Sequence, residues 1–332
     1  NNAYGRDAKQ IFEKNNIQIG CCLQMLATHT TTSPILHMNS MYAAIDLLLY
    51  NREELIIKCN APTSISDEEL LLSYLTQFGM SALKDVNGDF SGVIYDENAQ
   101  TLTLFRDHMG IRPLYYYADN SFMAFSTDIR GLLGLDGVDS SLNEDWIYRT
   151  LSGYFVDSVT STEYQNIFCV SPASYITFSI KNEKISQEIH SYWQLGKKKI
   201  HYTSFELYKA KLKELVTDSI QRRLQAIPGK AGAELSGGLD SGVIGILIHR
   251  LGRDCVYFSW SVDPNEIPYA DHDERLIIKD ICKQEHIQCH YSQMKSDRSM
   301  NSLLARQMQS LGFSLDENEP PALRYAMPPY IN

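Results

Sequence analysis

The sequence predicts two domains of different class. The first is an α+β domain of layered antiparallel sheets over residues 1–195; the second is an α/β domain with a doubly wound parallel sheet over residues 200–332, the latter incomplete. Three observations predict this. Short alternating strands joined by turns fill the first part. The apolar period changes from about two residues to about 3.6 after Lys197-Lys198-Lys199. Beyond Pro228-Gly229 the order strand–helix–strand–helix–strand begins, the pattern of a parallel sheet with crossover helices. A length of 332 residues agrees with two domains at roughly 100–200 residues each.

In the first domain, Leu47–Tyr50 and Ser91–Tyr95 are apolar runs of strand length. Asp96–Gln100 reads as a turn, and Thr101–Arg106 alternates as a half-buried strand does, so the two segments around the turn form a hairpin. A helix starts at Asp67, because Ser66 is a good N-cap and Glu69 completes a capping box. Tyr115–Tyr117 and Phe122–Ser126 flank Asp119-Asn120 as a second hairpin, and Ser174–Ile180 is another alternating strand.

The second domain opens with a helical stripe of Phe205, Tyr208, Leu212, Leu215, Val216, Ile220 and Leu224, capped by Ser204 or Thr203 and expected to pack on a sheet. A strand over Ala231–Leu235 leads into Ser236-Gly237-Gly238-Leu239-Asp240-Ser241-Gly242. Val243–Leu251 reads as the next helix, Cys255–Val262 as a strand, Asp273–Glu285 as a helix and Ile287–Tyr291 as a short strand. No internal repeat or low-complexity tract appears.

Composition excludes several classes. With 44% hydrophobic and 21% charged residues the chain can build a core, unlike a disordered one. No window approaches the ~18 continuous apolar residues of a membrane helix. Asn1–Arg6 has no signal architecture and no initiator Met, so the true amino terminus is expected to lie outside this sequence. A net charge of -10 argues against a nucleic-acid partner, but leaves anionic ligands open, since backbone amides and a metal bind phosphate in acidic proteins. The seven cysteines are odd in number and include no C-x-x-C pair, which reads as reduced thiols in a cytoplasmic protein. Cys282, Cys289, His286 and His290 lack the paired spacing of a zinc site.

The segment Ser236–Ser241 carries the chemistry. Gly237 and Gly238 let the backbone turn tightly and bring its N–H groups near a ligand, and the following helix aims its free amides at the same point. The Ser236 and Ser241 hydroxyls add donors. The Lys of a Walker loop is missing, so this is a different anion cradle. Asp240 is the informative oddity: a carboxylate in a phosphate cradle implies a bridging cation, Mg²⁺. A plain Ser/Gly turn would explain a bare S-G-G, but not the full hexapeptide between a strand and a helix.

The hexapeptide resembles the pyrophosphatase-type loop of ATP-dependent adenylating enzymes. Arg106-Asp107-His108-Met109-Gly110-Ile111-Arg112-Pro113-Leu114-Tyr115-Tyr116 resembles the R-D-x-x-G-x-x-P-L-Y-Y signature of asparagine synthetase amino-terminal domains. Asn87-Gly88-Asp89-Phe90 and Tyr192-Trp193 match that family in order, and the resemblance covers nearly the whole chain. It implies a class II glutamine amidotransferase-like domain of Ntn-hydrolase type, followed by the amino-terminal part of a synthetase domain of adenine nucleotide alpha-hydrolase type. By that resemblance Ser236, Gly237, Gly238, Leu239, Asp240 and Ser241 bind the phosphates of ATP, Asp240 holds Mg²⁺, and Ser259 and Trp260 lie on the strand beside the adenine. The implied partners are a small-molecule or peptide carboxylate and an amine donor, with no nucleic acid and no membrane; a homo-oligomer is compatible.

Departures from the family are equally specific. The glutaminase of this family uses an amino-terminal Cys whose free α-amine is the base. This sequence begins with Asn1, and the internal Cys21-Cys22 lack that amine. Gly20-Cys21-Cys22-Leu23-Gln24-Met25 stands where the family has G-H-R-R-L-S, so the Arg that holds a glutamine carboxylate is gone. The N-G-E segment is replaced by Tyr50-Asn51-Arg52-Glu53-Glu54-Leu55. Asp67 matches the residue that binds the glutamine amine, although a helix N-terminal charge explains it equally well. The first domain is therefore expected to be inactive toward glutamine. The catalytic residues of the synthetase half are expected beyond residue 332, since the chain stops at Asn332 before the family's G-D-G-G-D-E-L-F segment.

The expected activity is ATP-dependent, AMP- and pyrophosphate-forming amide ligation of the asparagine synthetase type. A lasso-peptide macrolactam cyclase or β-lactam synthetase using an internal amine is the first alternative, to which Asn51–Leu55 and Asp273-Glu274-Arg275 lean. A non-catalytic nucleotide-binding fragment is the second.

Overall fold

The computed structural model describes residues 7–14, 16–25, 27–120, 122–153, 159–181, 184–197, 199–265, 269 and 273–292. The chain divides into two compact units, Asn1–Pro228 and Gly229–Asn332.

The first unit begins with a hairpin, β1 (Ala8–Lys14) and β2 (Ile17–Leu23). Then come β3 (Leu36–Met38), β4 (Met41–Leu49), α1 (Arg52–Cys59), α2 (Asp67–Phe78), a 3-10 turn at Met80–Asp85, β5 (Gly88–Asp96) and β6 (Thr101–Arg106). They are followed by β7 (Tyr115–Ala118), β8 (Met123–Ser126), α3 (Ile129–Leu133), α4 (Glu144–Leu151), β9 (Ile167–Cys169), β10 (Ser174–Lys181), β11 (Lys184–Ser191) and α5 (Phe205–Ala226). A six-stranded antiparallel sheet runs β11-β10-β6-β5-β4-β3, and a second one runs β8-β7-β9.

Alternation along the central strands splits the core into two layers. Ala43, Ile45, Leu47 and Leu49 of β4, with Phe90 and Ile94 of β5, face α1 and α2 and meet Leu55, Leu70, Leu71 and Leu75. Val93, Tyr95, Leu102 and Leu104 face the other way and meet Leu114, Tyr116 and Val170 of the second layer. Leu55, Leu70, Leu71 and Leu104 are fully buried, each worth about 1.5–3 kcal/mol relative to exposure. The capping box predicted for α2 is present in full: Ser66 Oγ accepts from the Glu69 amide, and the Glu69 carboxylate accepts from the Ser66 amide.

The eleven-residue signature is a structural brace. Asp107, 1% exposed, accepts from the amides of Met109, Ile111 and Arg112 at 2.9–3.0 Å and from that of Phe90 at 3.3 Å. Arg106 donates to the carbonyls of Arg112 (2.7 Å) and Val170 (2.8 Å) and to that of Gly110 (2.5 Å). Gly110 takes φ +69 there, where an added Cβ would stand 2.9 Å from Pro172. The motif thus ties the turn between β6 and β7 to the start of β10.

Three expectations require correction. The α5 stripe does not pack on a sheet among the described residues: only Ile220 is buried, and Phe205, Tyr208, Leu212 and Leu215 are exposed. The helix is held instead by polar contacts at its carboxyl half, where Arg222 pairs with Glu54 at 3.0 Å and the Arg223 guanidinium stacks over the Tyr50 ring. It consequently lies within the first compact unit, not with the residues after Pro228.

The second unit holds β12 (Ala231–Glu234), α6 (Leu239–Arg250), β13 (Cys255–Val262), α7 (Glu274–Glu285) and β14 (Cys289–Ser292). Its sheet is parallel, in the order β12-β13-β14. The second correction concerns α6, which starts at Leu239 and not Val243. Leu239-Asp240-Ser241 forms its first turn, because the two glycines before it absorb the change of direction from strand to helix. Likewise β14 starts at Cys289, since His286 ends α7 in the left-handed region (φ 56) and the Ile287 amide still bonds the Cys282 carbonyl.

Candidate functional site

In the second unit, the ends of two parallel strands and the starts of two helices converge on one turn. Beyond the Glu234–Phe258 pair come Leu235 and Ser259; the Leu235 amide still bonds the Phe258 carbonyl at 2.8 Å. Open α/β sheets bind ligands at this carboxyl edge. Gly237 follows in the left-handed region at φ +83, and an added Cβ would lie 2.6 Å from the carbonyl oxygen of Glu274. Only glycine satisfies both conditions, so the turn is locked against the start of α7. The hydroxyls of Ser236 and Ser241 lie 2.9 Å apart, and each also accepts a backbone N–H, from Gly238 (3.3 Å) and Ser236 (3.2 Å) respectively.

The informative difference lies at the helix starts. α2, α5 and α7 are capped by the side chains of Ser66, Ser204 and Asp273. α1 also lacks a cap bond, but its N-cap Asn51 carries a side chain; α6 starts behind the N-cap Gly238, which has no side chain to offer, so its first-turn amides have no side-chain acceptor. Those amides, with the positive end of the helix dipole, form a site for an anion. Asp240 projects from that turn, exposed, with no hydrogen bond or ion pair among the described residues. Opposite, Asp273 caps α7 and holds the buried Arg275 in an ion pair, and Arg275 donates to the Val262 carbonyl at 2.9 Å.

β13 changes register between Ser259 and Val262. Ordinary alternation separates two of the residues expected on one strand edge: Ser259, on the face of buried Tyr257, is 4% exposed and accepts from the Ser261 amide at 3.1 Å, whereas Trp260, on the face of Val256 and Phe258, is 70% exposed and stands edge-on to Phe258. All eight residues expected at the nucleotide site, Ser236–Ser241 with Ser259 and Trp260, therefore stand at or beside the carboxyl ends of β12 and β13.

The first unit has a recess of its own. It is lined by Gln24, Asp46, Leu48, Glu68 and Arg112, among others, and has a volume of about 30 Å³. Asp67 carries an ion pair with Arg52, whose guanidinium also donates to the Thr63 carbonyl at 2.9 Å. Burial raises the Asp67 carboxyl, and Arg52 pulls it down again. Glu68, 2% exposed, accepts from the Thr31 amide at 2.8 Å, and desolvation pushes it up to about 7. Desolvation also raises Asp46, whose half-exposed side chain faces Arg112 at 3.6 Å. Cys21 is pushed up to about 11 by burial and by the nearby negative charges, so it is a protonated thiol at neutral pH. Sequence reasoning missed Asp46, Glu68 and Arg112. Their only signal was negative: Glu68 and Asp46 are charges on otherwise apolar faces of α2 and β4.

Among the described residues no three His, Cys, Asp or Glu side chains converge to hold a metal, and no helix is long and apolar enough to cross a membrane. The amino-terminal residue and the segment before Asn332 lie outside the described residues.

A family model of the glutamine amidotransferase domain matches residues 2–193, and one of asparagine synthase matches residues 211–328. Three curated proteins are similar. A putative asparagine synthetase [glutamine-hydrolyzing] 2 from Methanocaldococcus jannaschii is 28% identical over 72% of this chain and 46% of its own length. Amidase chry2 of Gibberella zeae is 30% identical over 56% of this chain and 27% of its own. Asparagine synthetase [glutamine-hydrolyzing] 3 of Bacillus subtilis is 29% identical over 64% and 33% respectively. The chain spans less than half the length of these relatives.

Proposed function

The chain belongs to the asparagine synthetase family, a glutamine amidotransferase domain followed by asparagine synthase sequence, and from that premise we propose that it is part of an ATP-dependent, AMP-forming amide ligase. The observation that carries the reading is the uncapped start of α6 behind a glycine turn with no room for a Cβ. Amides already pointing outward from a rigid turn bind phosphate without reorganising.

The residues present fit a magnesium nucleotide. Mg²⁺ is commonly held by one or two carboxylates together with substrate phosphates, and Asp240 supplies one unengaged carboxylate on the phosphate-facing turn. When bound, the ion neutralises charge on the leaving pyrophosphate. The first-turn amides of α6 and the Ser236 and Ser241 hydroxyls orient the phosphate chain, and exposed Trp260 offers a face for the adenine. A carboxylate oxygen of the substrate then attacks the α-phosphorus. The bond to the β-phosphate oxygen breaks, and an acyl-adenylate and pyrophosphate result. An amine displaces AMP from the acyl carbon, forms the amide and gives up its proton to solvent. The protein acts in the cytoplasm on this reading.

A second reading concerns the amine. The recess of the first unit has no acceptable nucleophile among the described residues: Cys21 carries its thiol near 11 and is protonated at neutral pH. These observations favour free ammonia or an amine on the substrate itself, as in macrolactam or β-lactam synthetases, over glutamine hydrolysis.

Exchange of labelled pyrophosphate into ATP tests the ligase reading, with the full-length protein, Mg²⁺ and a panel of carboxylates including aspartate. Exchange with at least one carboxylate is expected, falling by roughly 100-fold in Asp240→Asn with the fold intact. Tight ATP binding with no exchange for any carboxylate would leave only a nucleotide-binding role.

A further inference from the structure

We infer that Arg275 is a positioning residue of the nucleotide site: from the first turn of α7 it fixes the end of β13, and with it the adenine side of the site, against the phosphate turn. The inference rests on the reading that this turn takes ATP.

Three consecutive residues at the start of α7 each hold something different. Asp273 is the N-cap, and its Oδ1 accepts the Arg275 amide at 2.9 Å. Glu274 lies against the phosphate turn, its carbonyl oxygen 2.6 Å from where a Cβ on Gly237 would stand. Arg275 holds the strand. Its Nε donates to both Asp273 carboxylate oxygens at 2.9 Å, its Nη2 donates to Asp273 Oδ2, and its Nη1 donates to the Val262 carbonyl at 2.9 Å. The guanidinium carbon lies over the Tyr269 ring, 5.5 Å from its centre, and the residue is 8% exposed.

The position of this anchor matters because the ladder is irregular there. From Ser259 to Val262 β13 advances three residues, while β14 advances one, from Tyr291 to Ser292. A ladder with such a shift does not by itself set the path of the strand across it. Trp260 lies within that span, between two anchors. One is the Ser259 hydroxyl, which accepts the Ser261 amide at 3.1 Å; the other is the Val262 carbonyl on Arg275. A planar guanidinium reaches a carboxylate and a carbonyl at once in fixed geometry, whereas a lysine ammonium is a point charge without that fork. Residue type therefore sets the position of the strand end, and charge alone does not.

Calorimetric titration of the full-length protein with magnesium ATP and with magnesium tripolyphosphate separates contacts to the base from contacts to the phosphates. In Arg275→Lys, which keeps a positive charge beside Asp273, ATP affinity is expected to fall about tenfold while tripolyphosphate affinity stays within about twofold. Should circular dichroism show that this variant does not fold, Asp273→Asn combined with Arg275→Gln removes both charges and keeps an N-cap side chain, and the same comparison decides. ATP affinity equal to that of the unaltered protein overturns the inference. So does a matching loss for both ligands, which would mark a purely structural role. Absence of ATP binding by the unaltered protein is a separate failure, which removes the nucleotide reading and this inference with it.

Discussion

Glu68 makes stability depend on pH in an unusual direction. Its carboxyl titrates near 4.5 in the unfolded chain and is pushed up to about 7 in the fold. Between those values the folded state keeps a proton that the unfolded state has lost. Stability therefore falls as pH rises from about 4.5 to about 7, by about 3 kcal/mol in total, and is level above. Denaturant unfolding at pH 5 and pH 8 should show that loss in the native chain and most of it abolished in Glu68→Gln. Asp46 and Asp67, also raised, add to the same trend. At Gly237 the constraint is steric. Gly237→Ala should cost roughly 1–3 kcal/mol, from a left-handed backbone and a Cβ 2.6 Å from the Glu274 carbonyl, and should abolish ATP binding in a calorimetric titration. Gly237 was legible in the sequence because the cradle is contiguous. The recess was not, because Asp46, Glu68 and Arg112 are brought together only by β4, α2 and the braced turn.

Among the elements, α2 shows what sequence legibility rests on. Its capping box is local, so four residues fix where the helix begins, and the structure has both halves of it. Ser66→Ala should cost about 1 kcal/mol, read as a shift in the denaturation midpoint with unchanged slope. α6 was misread at its start for the complementary reason. A helix without a capping side chain carries no local signal, so Leu239-Asp240-Ser241 looked like loop. In α5 the periodicity was real and the helix is there, but period alone does not say what covers a face. Arg222 and Arg223 fasten it through charge and ring stacking instead.

At the scale of the whole molecule, the order of classes along the chain was legible, antiparallel sheets first and a parallel sheet after, because strand period and crossover spacing are read directly from sequence. The division can be drawn at two places. The compact units divide after Pro228, with α5 fastened to the first by polar contacts, while the asparagine synthase model begins at residue 211, within α5. The glutamine amidotransferase family of the first domain does not by itself confer hydrolysis. Glutamate release from glutamine by the full-length protein should be undetectable, while ammonium supports product formation; glutamine-dependent turnover would refute this.

The alternation along β13 has an optical consequence. The chain has three tryptophans, and Trp146 and Trp193 are half-buried in the first unit, whereas Trp260, on the open face of β13, stands largely in water. An indole in water emits at longer wavelength than one in a protein interior, so the red edge of the intrinsic fluorescence belongs chiefly to Trp260. A purine stacked on that ring would quench the red edge and spare the blue, giving an unlabelled protein a reporter confined to one of its two units.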